Sequence, residues 1–592
     1  MKIRYLNGNR LYYAFLAGRN AVVKDQAYLN KINVFPVPDA DTGTNLAATL
    51  RSIAEGMSAH VSFQQTLRSM ADTALLGARG NSGIIFAQFL QGISTAVKNE
   101  VRISPRAFGE AVKEAIPHAY KSMASPVEGT MLTVMNDWAD AVYSQRERFS
   151  DFTELFSYSL HAAKESLKRT PQKLKVLARA GVVDAGARGF VDFLEGIYQF
   201  MKIGRLRGME QPGTPVPVTD FPVHVHKRVP RERYCTETLL TGEDLDLDRI
   251  RNGMLPFGSS VIVAGSESKA RIHVHSNRPA EVFHHLLQLG TLTQAKVDDM
   301  YRQYEAVHAR RYPTALLTDS ACDLPADILD KYQIHLIPFH IHFGPNLFLD
   351  KLAILPDVFY SLLDTERQHP KTSQPSYQAV ENAYAFLTEH YENVIAIHVS
   401  QGLTGVFGSS EKAAANFPDK HIHVLNSLHI SASQGLIVLR AAEAVAAGNT
   451  FQDISAALPE WVSRTRILVD VFTMKYFVRG GRVSPLKGLL AKALHIKPII
   501  TVDAEGKSTG AGKSFSRRGS FKQIIRKISS DVEKNGLWKY AIVHALNPEK
   551  ANAYAQELRK VLGQDPEFIM EVSPVIGAHS GIGTVAVGWM SK

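Results

Sequence analysis

The stretch Asn33–Asn45 reads NVFPVPDADTGTN. It sets two aspartates, Asp39 and Asp41, two residues apart in a loop too rich in Pro, Gly and Thr for helix or ordinary strand. Like charges at that spacing repel, and each raises the other's pKa unless a cation sits between them. Three readings compete: a solvated Asx-turn, a helix N-terminus, where carboxylates are favoured, and a metal site. Directly after the loop, Leu46, Leu50, Ile53 and Met57 recur at helical spacing, so the acid pair leads into a helix.

Working outward, the same helical periodicity returns at Gln65–Leu76, Ile84–Val97, Pro105–Met123, Val134–Arg146 and Phe152–Leu167. Glycine clusters interrupt it: GARGNSG (Gly77–Gly83), EGT (Glu128–Thr130) and AGVVDAGARG (Ala180–Gly189). This predicts an all-α domain over residues 1–205, with its loops gathered at helix ends. A Pro/Gly linker, Leu206–Pro222, then leads into a small α+β segment over 206–310, with strand-like RYCTETLLTG, GSSVIVAG and ARIHVHSN. From about Arg310, short buried strand patterns alternate with helices, which predicts α/β layers over 311–592.

Bulk properties agree with a multidomain globular protein. A chain of 592 residues is too long for one core and predicts three or four domains. Hydrophobic content of 45% and charged content of 21% are ordinary for the class. Two cysteines, Cys235 and Cys322, make no disulfide framework, and the first twenty residues show no secretory h-region or cleavage site, so a cytoplasmic location is expected. The net charge of +10 suits anionic ligands such as nucleotides, or peripheral contact with anionic lipid. No dense basic run with interleaved aromatics is present, so no nucleic-acid partner is expected.

Backbone N–H groups at helix N-termini, such as those after Gly43 and Gly83, attract phosphate. Thr42, Thr44, Asn45, Asn81, Ser82 and Thr130 add short hydrogen-bonding side chains there. Asp39 and Asp41 would then hold Mg²⁺, a hard cation that shares its oxygen ligands with phosphates. None of these loops is a Walker A sequence.

LNKINVFPVPDADTGTN, with GARGNSG, GTML, RTP and GVVDAGARG at increasing distance, resembles the kinase domain of the dihydroxyacetone kinase, DhaL-like (DAK2) family, in particular the branch found in bacterial fatty acid kinases. The resemblance implies an eight-helix barrel that binds ATP through a pair of magnesium ions. It places Asn33 nearest a third metal position. Nucleotide contacts fall on Thr42, Gly43, Thr44, Asn45, Asn81, Ser82, Met131 and Asp184, Ala185 and Gly186, and a phosphate-facing arginine on Arg169. Without the family, Arg169 reads as a solvated helix-end residue.

The middle segment resembles the central domain of the same kinases through YCTE (Tyr234–Glu237) and IHVHSN (Ile272–Asn277). His273 and His275 alternate on one strand and face the same way. With Cys235 they suit Zn²⁺, which takes N and S ligands and would keep a fourth position for water or another residue. His224 and His226 also share a face, but read as ordinary half-exposed strand residues.

The last domain resembles the DegV family of fatty acid-binding proteins. The marks are TDSACDLP (Thr318–Pro325), TSQPS (Thr372–Ser376), SQGLTGVFGSS (Ser400–Ser410), RGGRVS (Arg479–Ser484), IKPIITVDAEGK (Ile496–Lys507) and GAHSGIG (Gly577–Gly583). The resemblance implies two α/β subdomains around an acyl tunnel, with the carboxylate held by Thr372, Ser373, Thr404 and His579. Thr372 and Ser373 read equally well as a helix cap. The family often has Ser where Thr404 stands, and DKLAI replaces a more usual Asp-Gly after Asp350.

Together the resemblances imply a kinase fused to its acyl carrier. It would transfer phosphoryl from MgATP to a bound fatty acid, giving acyl phosphate and ADP. No general base is needed, because the carboxylate is already ionised at neutral pH. Expected partners are the fatty acid, ATP and an acyltransferase or other enzyme that accepts the acyl phosphate; a homodimer is the expected assembly. Two other readings stay open: a lipid carrier with a regulatory kinase-like half, and a kinase of a small hydroxylated metabolite.

Overall fold

The computed structural model describes residues 2–98, 100–203, 229–366, 368–481 and 496–592. The Leu206–Pro222 linker, His224 and His226, and the end of the Arg479–Ser484 motif lie outside them. The chain divides into two compact units, Met1–Tyr304 and Glu305–Lys592. Among the described residues no helix is long and apolar enough to cross a membrane.

Among the described residues the first unit opens with ten helices: α1 (Gly8–Lys24), α2 (Gln26–Lys31), α3 (Thr42–Gly56), α4 (Phe63–Gly77), α5 (Gly80–Ala96), α6 (Pro105–Lys121), α7 (Met131–Gln145), α8 (Phe152–Lys173), α9 (Lys175–Ala180) and α10 (Ala185–Ile203). The eight long ones touch in a closed circuit, α1–α3–α4–α5–α6–α7–α8–α10 and back to α1, which is the barrel expected. Each turns one apolar face inward. Aromatic edges fill the centre: Phe86 meets Phe193 with ring centroids 5.0 Å apart, and Trp138 meets Phe190 at 5.7 Å. Such pairs add about 0.5–1.5 kcal/mol each beyond area burial. The α1/α10 contact is closed by Gly196, where a Cβ would lie 2.4 Å from the Ala17 carbonyl oxygen.

Two boundaries differ from the sequence reading. The Gly77–Gly83 and Ala180–Gly189 runs are loops only in their first halves, because α5 starts at Gly80 and α10 at Ala185. Their glycines serve close packing: a Cβ on Gly83 would lie 2.4 Å from Thr49 Oγ1, and one on Gly189 2.5 Å from Leu46 Cδ2. Helix α8 also runs past Leu167 to Lys173 with Pro171 inside it. Proline cannot bond the carbonyl four residues back, and Thr170 Oγ1 donates to that carbonyl, Leu167 O, at 2.8 Å.

The short strands β1 (Leu6–Asn7) and β2 (Arg102–Ile103) pair with each other. Then β3 (Tyr234–Thr241), β4 (Gly258–Ser266), β5 (Lys269–Ser276) and β6 (Thr291–Asp299) form an antiparallel sheet in the order β4–β5–β3–β6. The sequence reading missed β6, whose polar TLTQAKVDD hides its alternation. This sheet is no separate body. Met123 bridges Ile262, Val263 N–H donates to Ser122 O at 2.9 Å, and Ile262 and Ala264 belong to the helical core. Of the segment expected as a domain over 206–310, the described residues 229–304 thus belong to the first unit together with the helices.

The second unit has a parallel sheet of β7 (Thr314–Asp319), β8 (His335–Ile337), β12 (Asn393–His398) and β13 (His421–Asn426), ordered β13–β12–β7–β8. A small antiparallel sheet sets β9 (His340–Phe343) between β10 (Asn346–Leu349) and β11 (Lys371–Ser373). A mixed six-stranded sheet, β16–β15–β14–β19–β17–β18, joins β14 (Thr465–Asp470), β15 (Lys497–Val502), β16 (Ser508–Ser514), β17 (Lys539–His544), β18 (Ile569–Glu571) and β19 (Val585–Met590). These layers match the two α/β subdomains expected. The ends of β7 and β12 are pinned by a buried network: Asp319 Oδ2 accepts from Val399 N–H at 2.8 Å and lies 3.1 Å from His398 Nδ1.

Candidate functional site

In the first unit, four helix N-termini converge. A Cβ on Gly80, at the start of α5, would lie 2.8 Å from Asn45 Nδ2 on α3. One on Gly186, at the start of α10, would lie 2.5 Å from Ser82 Oγ on α5 and 3.5 Å from Met131 Cβ on α7. Buried Asp184 ties two of these ends together, accepting N–H bonds from Ala187 (2.8 Å) and Met131. Burial pushes its carboxyl up to about 6. The first turns of four helices thus meet in one region, a concentration of positive partial charge that suits phosphate.

The acid pair stands at the edge of this ring. Asp39 and Asp41 are close enough to share a hydrogen bond. Asn33 Nδ2 donates to Asp39 Oδ1 at 2.5 Å, and Asn45 Nδ2 to Asp41 Oδ2 at 2.7 Å. Burial, and then the Asp41 charge, push the Asp39 carboxyl well above its ordinary value; burial raises Asp41 too, against the pull of Lys296. Asp41 occupies the N-cap position of α3, yet its side chain makes no capping bond. Asn33 Oδ1 is buried with no partner among the described residues. Two repelling carboxylates beside an orphaned amide oxygen fit a hard cation.

The remaining expected contacts are distributed unevenly. Thr42 and Gly43 form the first turn of α3, Ala185 that of α10, and Asn81 Oδ1 is buried without a partner among the described residues. Thr44 faces α2, its Oγ1 accepting from Asn30 Nδ2 at 2.9 Å. Thr130 Oγ1 donates to Val127 O at 2.7 Å. Arg169 is half-exposed on α8, with Nη2 3.8 Å from Asp137 Oδ2, a contact of little energy at that exposure.

Cys235, His273 and His275 come together from β3 and β5, buried, with their ligand atoms within 4.8 Å of one another. Cys235 pairs in register with His275, and Glu237 with His273. His273 Nδ1 lies 3.7 Å from Cys235 Sγ and 3.1 Å from Glu237 Oε1, while its Nε2 is buried without a partner among the described residues. One thiol, two imidazoles and an orphaned ring nitrogen fit Zn²⁺. Lys296 on β6 bonds Asp298 at 2.5 Å and lies within electrostatic reach of Glu237, Cys235 and Asp41, so this cluster neighbours the acid pair. Sequence reasoning missed Glu237 and Lys296. Glu237 was findable, because it lies two residues from Cys235 and so on the same strand face.

In the second unit, Thr372, Ser373, Thr404 and His579 all line one cavity with about 1090 Å³ of empty space, its mouth included. Its other walls are largely apolar, among them Val399, Leu403, Ile467, Phe477, Ile500 and Val575, and among the described residues no Asp, Glu, Lys or Arg lines it. Thr372 Oγ1 lies 2.9 Å from His579 Nε2, and Ser373 Oγ 3.3 Å from His342 Nε2. The capping alternative fails: the helix Tyr377–His390 is capped by Ser376, whose Oγ accepts from Ala379 N–H at 3.2 Å, and Thr372 and Ser373 belong to β11.

The chain matches three family models in order: the DAK2 domain over residues 36–199, the FakA-like middle domain of fatty acid kinases over 231–307, and the DegV family, described as uncharacterised protein, over 313–592. Among curated relatives, an uncharacterised protein of Staphylococcus saprophyticus is 34% identical over 289 residues, covering 47% of this chain and 52% of that one. One of Staphylococcus epidermidis is 31% identical over 315 residues, covering 52% and 57%. The chain spans about half the length of the curated relatives it matches. Among solved structures, DegV, a fatty acid binding protein from Bacillus subtilis, is 27% identical over 48% of this chain and 100% of that one, with a TM-score of 0.44. A DegV family protein from Thermus thermophilus, described by its fatty acid binding, is 25% identical over 47% and 99%, also at 0.44. The chain is thus a fusion, in one polypeptide, of a DAK2 domain and a FakA-like middle domain with a DegV-family domain.

Proposed function

We propose that this protein is a fatty acid kinase that carries its own acyl-binding domain: it phosphorylates the carboxylate of a fatty acid lodged in the C-terminal cavity, at the expense of ATP. One observation carries the reading. The same chain holds a ring of helix N-termini beside an acid pair and an apolar cavity whose polar residues are uncharged donors.

In this reading Asp39, Asp41 and Asn33 hold magnesium, which when bound neutralises phosphate charge. The first turns of α3, α5, α7 and α10 grip the phosphates through backbone N–H groups, helped by Thr42, Asn45, Asn81 and Ser82. Arg169 adds a cation that its loose contact with Asp137 leaves able to turn. Cys235, His273 and His275 hold zinc beside this site. In the cavity, Thr372, Ser373, Thr404 and His579 donate to the fatty acid carboxylate and aim one oxygen. A carboxylate only accepts hydrogen bonds, and hydroxyl and imidazole donors hold it without quenching its nucleophilicity as an arginine fork does. That oxygen forms a bond to the γ-phosphorus, the bond from γ-phosphorus to the β-bridging oxygen breaks, and ADP leaves with the electron pair. The chain's part is positioning and charge neutralisation.

The test is ADP release by the full-length protein with MgATP. Release should depend on added long-chain fatty acid. ADP release that ignores fatty acid but responds to a small hydroxylated metabolite would overturn the proposal, and tight acyl binding with no ADP release would make the protein a lipid carrier.

A further inference from the structure

Glu237, on β3, has no exposed surface, and its hydrogen bonds reach two sites at once. Oε1 accepts from Gly80 N–H at 2.7 Å and lies 3.1 Å from His273 Nδ1; Oε2 accepts from Arg271 Nη2 at 3.1 Å. Gly80 is the first residue of α5, so its N–H has no acceptor within the helix. The residue before it, Arg79, makes no side-chain capping bond. A carboxylate 157 residues away in sequence therefore supplies the cap, immediately before Asn81 and Ser82. Negative charge is favoured at that end of a helix.

The same oxygen decides which ring nitrogen of His273 carries the proton. Gly80 N–H and Arg271 Nη2 hold the carboxylate in place, so that Oε1 faces His273 Nδ1 as an acceptor. An acceptor beside Nδ1 keeps the ring proton on Nδ1, which leaves Nε2 with its lone pair. Nε2 is the atom found buried without a partner among the described residues. Carboxylates that orient a ligating histidine in this way are part of how metal centres hold their ions.

We propose that Glu237 is a positioning residue shared by two sites: it fixes His273 to ligate zinc through Nε2 and fixes the first turn of α5 against the nucleotide, so that zinc and nucleotide binding are coupled. The nucleotide half rests on the reading of the helix N-termini given above; the zinc half does not. Coupling between binding sites is reciprocal, so each ligand should tighten the other.

The experiment uses the full-length protein without fatty acid, with zinc affinity read by competition against a chromogenic chelator and MgATP affinity by calorimetry. Stripping zinc from the wild type should weaken MgATP binding about fivefold or more. Glu237→Gln should lose zinc affinity by about 10- to 100-fold, and its MgATP affinity should no longer respond to zinc. Cys235→Ser, which keeps the carboxylate, should match the zinc-stripped wild type. Equal MgATP affinity of stripped and zinc-loaded wild type overturns the coupling, and needs no variant to fold. Wild-type zinc affinity in Glu237→Gln overturns the hold on His273, as does a wild type that takes up no zinc. If neither form of the wild type binds MgATP, the coupling falls together with the kinase reading, and the zinc measurement alone decides the rest.

Discussion

The acid-pair site of the first unit and the cavity of the second are both suited to anions, by opposite means. The first gathers helix N-termini, two carboxylates and a partly buried lysine, and its carboxyls are raised above their ordinary pKa chiefly by burial, Asp39 also by the Asp41 charge. The second has no charged side chain on its walls among the described residues and presents hydroxyls and one imidazole instead. The contrast follows from what each anion needs. A triphosphate needs its charge cancelled before it can be attacked. A carboxylate nucleophile needs orientation while its charge is kept.

Removing the acids should break the comparison most sharply. Asp39→Asn with Asp41→Asn should lower fatty acid-dependent ADP release about a thousandfold or more, through loss of metal charge. Fatty acid binding by the same protein should stay at the wild-type level. Residual turnover near wild type would remove the metal role from the pair.

The converse change is next in size. His579→Ala should cut phosphoryl transfer about 10- to 100-fold, since misplacing a reacting atom by an ångström costs that much. Acyl affinity should move far less, because each buried CH₂ contributes about 0.8 kcal/mol and the carboxylate contacts mainly orient. A variant that loses acyl binding and transfer in equal proportion would show His579 acting on affinity alone.

Much of this contrast was legible in the residues. The acid pair and the alternating histidines appear in short motifs, because chemistry of that kind needs particular side chains at fixed spacing, whereas Thr372, Ser373, Thr404 and His579 stand out only through the resemblance to the DegV family. What was hidden depends on chain distant in sequence. The Glu237 cap on Gly80 and the docking of Ile262 and Ala264 into the helical core join segments that no periodicity links. Glycines were read as loop formers, whereas Gly83, Gly186 and Gly189 sit in helices at close contacts.

That last point gives a smaller prediction. A Cβ on Gly43 would come within 2.2 Å of the Gln26 backbone oxygen, so α2 and α3 would have to part. Gly43→Ala should destabilise the first unit by about 1–3 kcal/mol, seen as a lower first melting transition with acyl binding intact. An unchanged transition would mean that the α2/α3 contact is soft.

A further prediction concerns charge beside the cavity. Asp350 is buried, accepts Val575 N–H at 3.0 Å, and has its carboxyl pushed up to about 7 by burial. The folded state then holds a proton that the unfolded chain has released above its ordinary value of 3.8. Stability from this group is therefore full at low pH and falls as pH rises from about 4 to 7, at about 1.4 kcal/mol per pH unit. Asp350→Asn should remove that slope from the second melting transition and leave the variant more stable than wild type at pH 8. Parallel pH profiles for the two proteins would show that Asp350 is ionised in the fold, and that a charge stands directly behind the cavity wall.

The central claim is that a bound fatty acid becomes an acyl phosphate. Hydroxylamine traps acyl phosphates as hydroxamates, so the direct measurement is mass spectrometry of the full-length protein incubated with fatty acid, MgATP and hydroxylamine. The account predicts fatty acyl hydroxamate in step with ADP, absent without ATP and absent from the Asp39→Asn, Asp41→Asn protein. ADP formed with no hydroxamate, while the fatty acid is recovered unchanged, would contradict it.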